Sequence, residues 1–374
     1  MSKLKESLKS GKNNMDFGML ITILILLCAG IVMVSSASSY YALNTYGDSN
    51  YLLTRQLILA VLGVLAMLVI SKIDYRIYKR WSYLGYGIAL LLLIAVLIPG
   101  IGQERNGATR WLGVGAFGFQ PSEIMKIMLV MAVSTYLANN YKKLGSLKGF
   151  FVPLLLLGLV VIVMFLQKHM SGTLVMIVAA MSIIFASGIK VKTRYVVGFL
   201  LVGIIAVGVF ISAEEFRLKR ILAFTNPEQD IRGDNWQAAQ SLYAIGSGGV
   251  FGRGLGQSRQ KYLWLPEAQN DFIFSVLGEE LGLVGTVSVL ALFAFFIYRG
   301  YRIAINCKDM YGSLIATGIT SVFALQILVN IAVVTCTMPV TGMPLPFFSY
   351  GGTALFINLC AMGVLLSVSR NCKT

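Results

Sequence analysis

Carboxylates occur at unusual positions in the segment LPEAQNDFIFSVLGEELG, from Leu265 to Gly282. Asp271 stands where a long apolar run begins, and Glu279 and Glu280 follow inside that run. In a helix these glutamates would lie roughly 12–14 Å deeper than Asp271, so in a bilayer they must face other helices or water. A carboxylate held there can accept a proton as a general base. At a helix N-terminus, Asp271 could equally serve by interacting with the helix dipole.

A second group of ionisable residues lies in the sequence QPSEIMKI and in the TRWLG that precedes it. Pro121 suits the first turn of a helix, so Glu123 and Lys126 share one helix face at a spacing of three residues. The pair is either a local ion pair or part of a site, because ionisable groups within membrane spans are candidates for function. Arg110 lies upstream as a further candidate.

A third group is basic and lies in EEFRLKRILAF. If this stretch is a short interfacial helix, Arg217 and Arg220 share a face. Two interpretations carry similar weight. The helix could lie on lipid headgroups, or the two guanidinium groups could clamp a lipid-linked phosphate, which arginine binds through paired hydrogen bonds.

Two segments rich in glycine and proline predict backbone that is not helical. GSGGVFGRGLG, residues 246–256, lacks the preceding strand and the following GK[ST] of nucleotide-binding loops, so its glycines favour tight turns and close packing. TGMPLPFFSYGGTAL, residues 341–355, contains Pro344 and Pro346, which interrupt a helix. Such backbone at membrane depth must be buried in protein or line a wet cavity.

The composition explains where these groups must sit. Hydrophobic residues make up 57% of the chain and charged residues 13%, which is typical of an all-α polytopic membrane protein. A β-barrel would show short alternating strands instead. The apolar runs predict ten transmembrane helices in a single domain, residues 1–374. These helices are expected at about 16–35, 52–71, 81–99, 121–138, 151–167, 173–189, 195–212, 271–297, 312–336 and 349–369.

Lys and Arg are concentrated on one side of the predicted helices, and this bias sets the orientation. Three short connections on the other side hold a single basic residue between them, Lys168. We therefore expect both termini, including the tail 1–15, to be cytoplasmic and residues 213–270 to form a large extracellular loop between helices 7 and 8. The net charge of +15 reflects this bias and contact with anionic lipid headgroups, with no sign of nucleic-acid binding.

Cysteine and histidine are sparse. The five cysteines include no CxxC pair, which argues against a disulfide framework and a zinc site. The only histidine is His169, which excludes a multi-histidine metal centre.

Three of these motifs together resemble a known family. QPSEIMKI, SLYAIGSGGVFGRGLGQSRQKYLWLPEAQNDFIFSVLGEELG and GMPLPFFSYGG are similar to signatures of the SEDS family (FtsW/RodA/SpoVE), and the GRGLGQSRQKYLWLPEA run is most similar to its FtsW/SpoVE branch. The likeness covers essentially the whole chain. Two places depart from the family pattern. QKHMSGT replaces a PD ahead of GT, so His169 is assigned no role, and Gln269 and Asn270 replace the His-Thr before Asp271.

The resemblance implies a peptidoglycan glycosyltransferase that polymerises lipid II, an undecaprenyl-diphosphate-linked disaccharide pentapeptide, for cell division or spore cortex synthesis. It also implies an outward-facing site in the bacterial cytoplasmic membrane and a class B penicillin-binding protein as transpeptidase partner. By matching motif, Asp271 is the catalytic residue. The residues assigned to substrate binding are Arg110, Glu123, Lys126, Arg217, Arg220, Glu267 and Ser349.

The implied reaction is inverting glycosyl transfer with Asp271 as general base. Charge on the diphosphate leaving group would be stabilised by the basic residues named above, or by Mg²⁺ or Mn²⁺ bound to Glu123 or Asp271. A lipid II flippase is the alternative function, since polar groups and broken helices also suit transport. The concentration of acids and motifs on the outer side favours the polymerase. A structural scaffold would not need the Asp271 carboxylate.

Overall fold

The computed structural model describes residues 15–105, 108–114, 117–141, 147–188 and 235–372, and this part of the chain is mainly helical. Its helices are α1 (Phe17–Tyr46), α2 (Tyr51–Lys72), α3 (Arg76–Ala95), α4 (Pro121–Asn139), α5 (Leu147–Leu166), α6 (Met170–Ala186), α7 (Trp236–Gly248), α8 (Ile273–Asn306), α9 (Met310–Val334) and α10 (Gly352–Asn371).

The long apolar runs are helical, as predicted. Helices occur at nine of the ten predicted positions, and the tenth, 195–212, lies outside the described residues. Within the described part, seven helices are long and apolar enough to cross a membrane, and α6 is a shorter apolar helix. The chain is therefore a multi-pass membrane protein. The structure adds α7, which was not predicted, and α8 begins at Ile273 and leaves Asp271 in the preceding loop.

The connection between α3 and α4 corrects the purely helical prediction. It forms a three-stranded antiparallel sheet of β1 (Gly102–Arg105), β2 (Ala108–Val114) and β3 (Phe117–Phe119), in that order. Residues of β2 include Thr, Trp, Leu and Val, which favour extended backbone. The β1–β2 register shifts between Gln103 and Glu104, as in a bulge. The sheet ends directly before Pro121, so it leads Arg110 toward the start of α4.

The core of the bundle contains α4 and α9, whereas α2 lies at the edge. In their most apolar windows, 78% of α4 and 67% of α9 are buried, against 22% of α2. The exposed face of α2 carries Ile58, Val61, Leu65 and Val69, as expected of a helix side that meets lipid. The polar residues of α4 are consequently shielded from lipid by neighbouring helices.

The Gly/Pro-rich segment between α9 and α10 is not helical and lies in the protein interior, as predicted. Leu345, Phe347 and Phe348 are almost fully buried, and the Phe347 ring stacks on Phe323 with centroids 5.5 Å apart. Helix α1 packs directly on this segment, because a Cβ added at Gly30 would lie 2.1 Å from the Phe347 carbonyl oxygen. We call residues 335–351 the re-entrant segment.

Helix α8 is broken at Gly282, where φ is +64°. Residues 249–261, here called the strap, lie against this break. Strap backbone supplies the acceptors and donors that the interrupted helix loses, so the polar backbone remains paired inside the protein. The four bonds are Leu283 N–H to Gly249 O (2.9 Å), Val284 N–H to Val250 O (3.1 Å), Arg253 N–H to Glu279 O (3.0 Å) and Gly254 N–H to Glu280 O (3.0 Å).

The strap glycines have the role that the sequence predicts, tight turns and close backbone contact. Gly252 has φ +79°, and a Cβ on Gly282 would lie 2.3 Å from the Gly252 nitrogen. Only glycine permits this combination of left-handed backbone and close approach.

Candidate active site

Asp271 occupies the loop that enters α8, and its backbone is held from two sides. The side chain of Asn330, buried in α9, donates to the Asp271 carbonyl at 2.8 Å and to the Met343 carbonyl at 2.7 Å. One amide group therefore fixes Asp271 relative to both α9 and the re-entrant segment. The sequence analysis missed Asn330. Its signal was one of two amides, with Gln326, in the otherwise apolar run LQILVNIAVV, where a polar side chain would lie at membrane depth.

The re-entrant segment forms one wall of the site. Gly342 has φ +68°, and a Cβ added there would lie 3.4 Å from Asp271 Oδ2. The Tyr350 N–H donates to the Gln269 carbonyl at 2.9 Å, which ties the same segment to the loop before Asp271. The Asp271 carboxylate thus lies between two pieces of non-helical backbone.

The environment of Asp271 raises the pKa of its carboxyl group toward neutral pH. The side chain is only partly exposed, and burial raises the pKa of its carboxyl to about 7. The negative charge of Glu267 acts in the same direction, whereas the positive charge of Arg110 lowers this pKa. A base whose pKa is close to the working pH is well matched to accepting a proton.

Arg110 reaches this site from strand β2. Its guanidinium donates to the carbonyl of Lys168, in the turn between α5 and α6. The structure therefore brings three of the predicted residues, Asp271, Glu267 and Arg110, close enough for their charges to interact.

Glu123 and Lys126 form an ion pair in the first turns of α4, with Lys126 Nζ 2.8 Å from Glu123 Oε2. Both side chains are buried. Glu123 lines a small cavity together with Pro344, Pro346 and Tyr350 of the re-entrant segment. Since Tyr350 also bonds the loop of Asp271, the same backbone borders both groups.

Ser349 also lines this cavity, and its hydroxyl oxygen takes part in a hydrogen bond within the re-entrant segment. It accepts a hydrogen bond from the Leu345 N–H at 2.7 Å and so closes a turn of the re-entrant segment. The remaining basic candidates, Arg217 and Arg220, lie outside the described residues.

The two deeper glutamates bind the strap. Glu279 accepts from the Ser258 hydroxyl at 2.6 Å and from the backbone N–H of Arg259 and Gln260. Arg253 approaches the same carboxylate at 3.4 Å.

Glu280 accepts from the Ser36 hydroxyl at 2.6 Å and pairs with Lys261 Nζ at 3.1 Å. Lys261 also donates to Ser36 and to the Gly256 carbonyl. These contacts satisfy the expectation that both acids face protein, and they link α1, α8 and the strap.

Two further expectations concern cysteines and metals. The structure joins Cys307, after α8, to Cys372, after α10, in a disulfide bond, so the expectation of no disulfide is wrong for this pair. The two positions are 65 residues apart in sequence, a spacing that no short motif reveals. Among the described residues, no group of three or more His, Cys, Asp or Glu side chains could hold a metal ion.

Fold and site together define a class: a multi-pass membrane protein with a loop carboxylate at the mouth of a broken helix, walled by a buried re-entrant segment. The family model FtsW/RodA/SpoVE, described as "Cell cycle protein", matches residues 17–374. The chain belongs to this family.

Similar proteins agree with that assignment. Stage V sporulation protein E of Bacillus subtilis is 44% identical over 363 residues, with 96% of this chain and 98% of that protein covered. A probable peptidoglycan glycosyltransferase FtsW of Trichlorobacter lovleyi is 40% identical, covering 96% and 94% of the two chains. A solved structure described as "Structural coordination of polymerization and crosslinking by a peptidoglycan synthase complex" superposes with a TM-score of 0.78 at 27% identity, covering 96% and 98%.

Proposed function

We propose that this chain is a peptidoglycan glycosyltransferase that polymerises lipid II for cell division or spore cortex synthesis. Relatives that it matches along nearly their full length carry the names glycosyltransferase FtsW and sporulation protein E. The observation that carries the proposal is the Asp271 carboxyl, which has a pKa of about 7 and lies beside Arg110 at the entrance to α8. A structural scaffold would not require such a base, and the concentration of acids and motifs near one end of the helices argues against a flippase, which needs a polar path through the whole bilayer.

In the proposed reaction, the sugar 4-hydroxyl of an incoming lipid II attacks the anomeric carbon of the growing glycan. Ionised Asp271 accepts the hydroxyl proton as the new C–O bond forms. The bond between the anomeric carbon and the diphosphate breaks, and undecaprenyl diphosphate leaves with the electron pair. The bilayer holds both substrates by their lipid tails, which reduces the entropy lost when they meet.

Positive charge near the leaving diphosphate would come from Arg110 and Lys126. Arg217 and Arg220 remain candidates by sequence. A divalent cation on Glu123 fits poorly because Lys126 already contacts that carboxylate at 2.8 Å. Asp271 is the other cation ligand suggested by the sequence, but among the described residues it belongs to no group of three or more side chains that could hold a metal ion. Glu267 is exposed and belongs to the same loop, so it also suits substrate contact.

We place the reaction at the outer face of the bacterial cytoplasmic membrane, with both chain termini in the cytoplasm. The distribution of Lys and Arg supports this orientation. A class B penicillin-binding protein would crosslink the product. The likeness to a complex described by polymerization and crosslinking supports such a partner.

Asp271→Asn tests the proposal by removing the base while keeping the shape of the side chain. Purified wild-type protein with its partner should convert lipid II into glycan chains, and the variant should lose activity by about 10²–10⁴-fold. Asp48→Asn, in the exposed connection between α1 and α2, is the matched control and should polymerise normally.

Folding of Asp271→Asn can be checked separately. A carboxyl with a raised pKa stabilises the fold only while protonated, and this contribution is lost as the pH rises through about 7. The variant should therefore melt no earlier than wild type at pH 8. Equal polymer from both proteins would remove Asp271 from the chemistry. Lipid II movement across liposomes without any polymer would establish the flippase instead.

A further inference from the structure

The turn between α5 and α6 provides a contact that holds Arg110. Lys168 adopts φ +56°, a left-handed conformation that is uncommon for a residue with a side chain. This conformation directs its carbonyl to the Arg110 guanidinium. The His169 N–H donates to the Met164 carbonyl at 3.0 Å and closes the turn onto the end of α5.

His169 fixes this turn through both nitrogens of its ring. Nδ1 accepts from the Gly172 N–H at 3.0 Å, so the histidine caps the start of α6. A neutral ring must then carry its proton on Nε2 and donate it to the Gln120 side-chain amide 2.7 Å away, which requires the amide oxygen rather than the amide nitrogen to face the ring. Gln120 directly precedes α4. The ring thus joins the starts of α4 and α6, and His169 directly follows Lys168, whose carbonyl accepts from Arg110.

Close packing and charge both keep the ring in this state. A Cβ added at Gly172 would lie 2.3 Å from His169 Cε1, so the ring rests directly on the glycine. Burial and the positive charges of Arg110 and Lys126 lower the pKa of His169 to about 3. The ring is therefore neutral at working pH and adds no charge to the basic side of the site.

We infer that His169 is a positioning residue, which locks the Lys168 turn and thereby holds Arg110 at the Asp271 site. Its importance for the reaction rests on the proposed function. Its effect on Arg110 does not, and the two can be measured separately. Among the described residues, the charged groups that act on Asp271 are Glu267, which raises its pKa, and Arg110, which lowers it, so displacement of Arg110 leaves the effect of Glu267 unopposed by Arg110.

The test follows the protonation of Asp271 without any turnover. Carbodiimides modify protonated carboxyl groups, so labelling of the Asp271 peptide, read by mass spectrometry on the purified full chain, should fall with a midpoint near pH 7. His169→Ala should raise this midpoint by about one pH unit, because Arg110 moves away and its positive charge no longer lowers the pKa of Asp271. His169→Asn keeps a capping oxygen for α6 but is too short for Gln120, and it should raise the midpoint as well.

Arg110→Gln should raise the midpoint as much as His169→Ala does. The double variant, His169→Ala with Arg110→Gln, should raise it no further than either single change. Ser182→Ala, which removes a hydroxyl farther along α6, is the control and should leave it unchanged. Wild-type midpoints in both His169 variants, or a further rise in the double variant, would overturn the inference. Because labelling needs no polymerisation, a wild-type protein that makes no polymer would contradict the proposed function and leave this test intact.

Discussion

Two sets of acids lie within ten residues of one segment, and their surroundings differ. Glu279 and Glu280 are almost fully buried, and each accepts several hydrogen bonds and faces a basic side chain. Asp271 is partly exposed, and its carboxyl has a raised pKa. At the first place, protein donors occupy the oxygens of the two glutamates, whereas at the second the hydrogen bonds hold the backbone of Asp271 and leave its carboxyl group available. The comparison teaches that burial depth alone does not identify a catalytic acid.

The largest expected effect concerns the contacts between the strap and the buried glutamates of α8. Lys261→Met would leave the buried Glu280 carboxylate without its counter-ion, which costs about 3–5 kcal/mol of folding free energy. We expect a markedly lower melting temperature in detergent, measured by intrinsic fluorescence. The double variant Lys261→Met/Glu280→Leu should recover part of the loss. A fully stable Lys261→Met would show that the pair does not anchor the strap.

Asn330→Leu addresses how the Asp271 backbone is held. The change keeps the approximate volume and removes the donors to the Asp271 and Met343 carbonyls. We expect polymerisation to slow roughly ten- to hundredfold through misplacement of the base, with a stability loss of about 1–3 kcal/mol. Asn371→Leu, which removes a hydrogen bond within α10, is the matched control. Equal rates in both variants would contradict a positioning role for Asn330.

Glu267→Gln is expected to have the smallest effect, a shift in the pH dependence of polymerisation. In the proposed reaction the ionised form of Asp271 is the active one, so the polymerisation rate should rise with pH through about 7. Removal of the Glu267 charge makes ionisation easier and should move this rise to lower pH by less than about one unit. Glu104→Gln, an exposed glutamate of strand β1, should leave the profile in place. A shift to higher pH would mean that Glu267 does not act through its charge.

The sequence predicted the helices well because each is a long apolar run, and it marked the re-entrant segment through its prolines. It also identified Asp271, Glu267 and Arg110, whose charges interact in the structure. The sequence could not predict the role of Glu280, because its hydrogen-bond partner Ser36 lies 244 residues away. The sheet was missed because membrane-scale hydrophobicity obscures three short strands.

The break at Gly282 has a consequence for how motion passes through the molecule. The backbone bonds that would make α8 continuous across Gly282 run instead to the strap, so the turns of α8 between Asp271 and Gly282 are coupled to residues 249–254 more directly than to the turns after Gly282. In hydrogen exchange, the turns before Gly282 and the strap would open as one cooperative unit. The strap therefore stabilises the same turns of α8 that follow the Asp271 loop. Inserting one residue into the strap should lower the exchange protection of those turns while every side chain of the site remained the same.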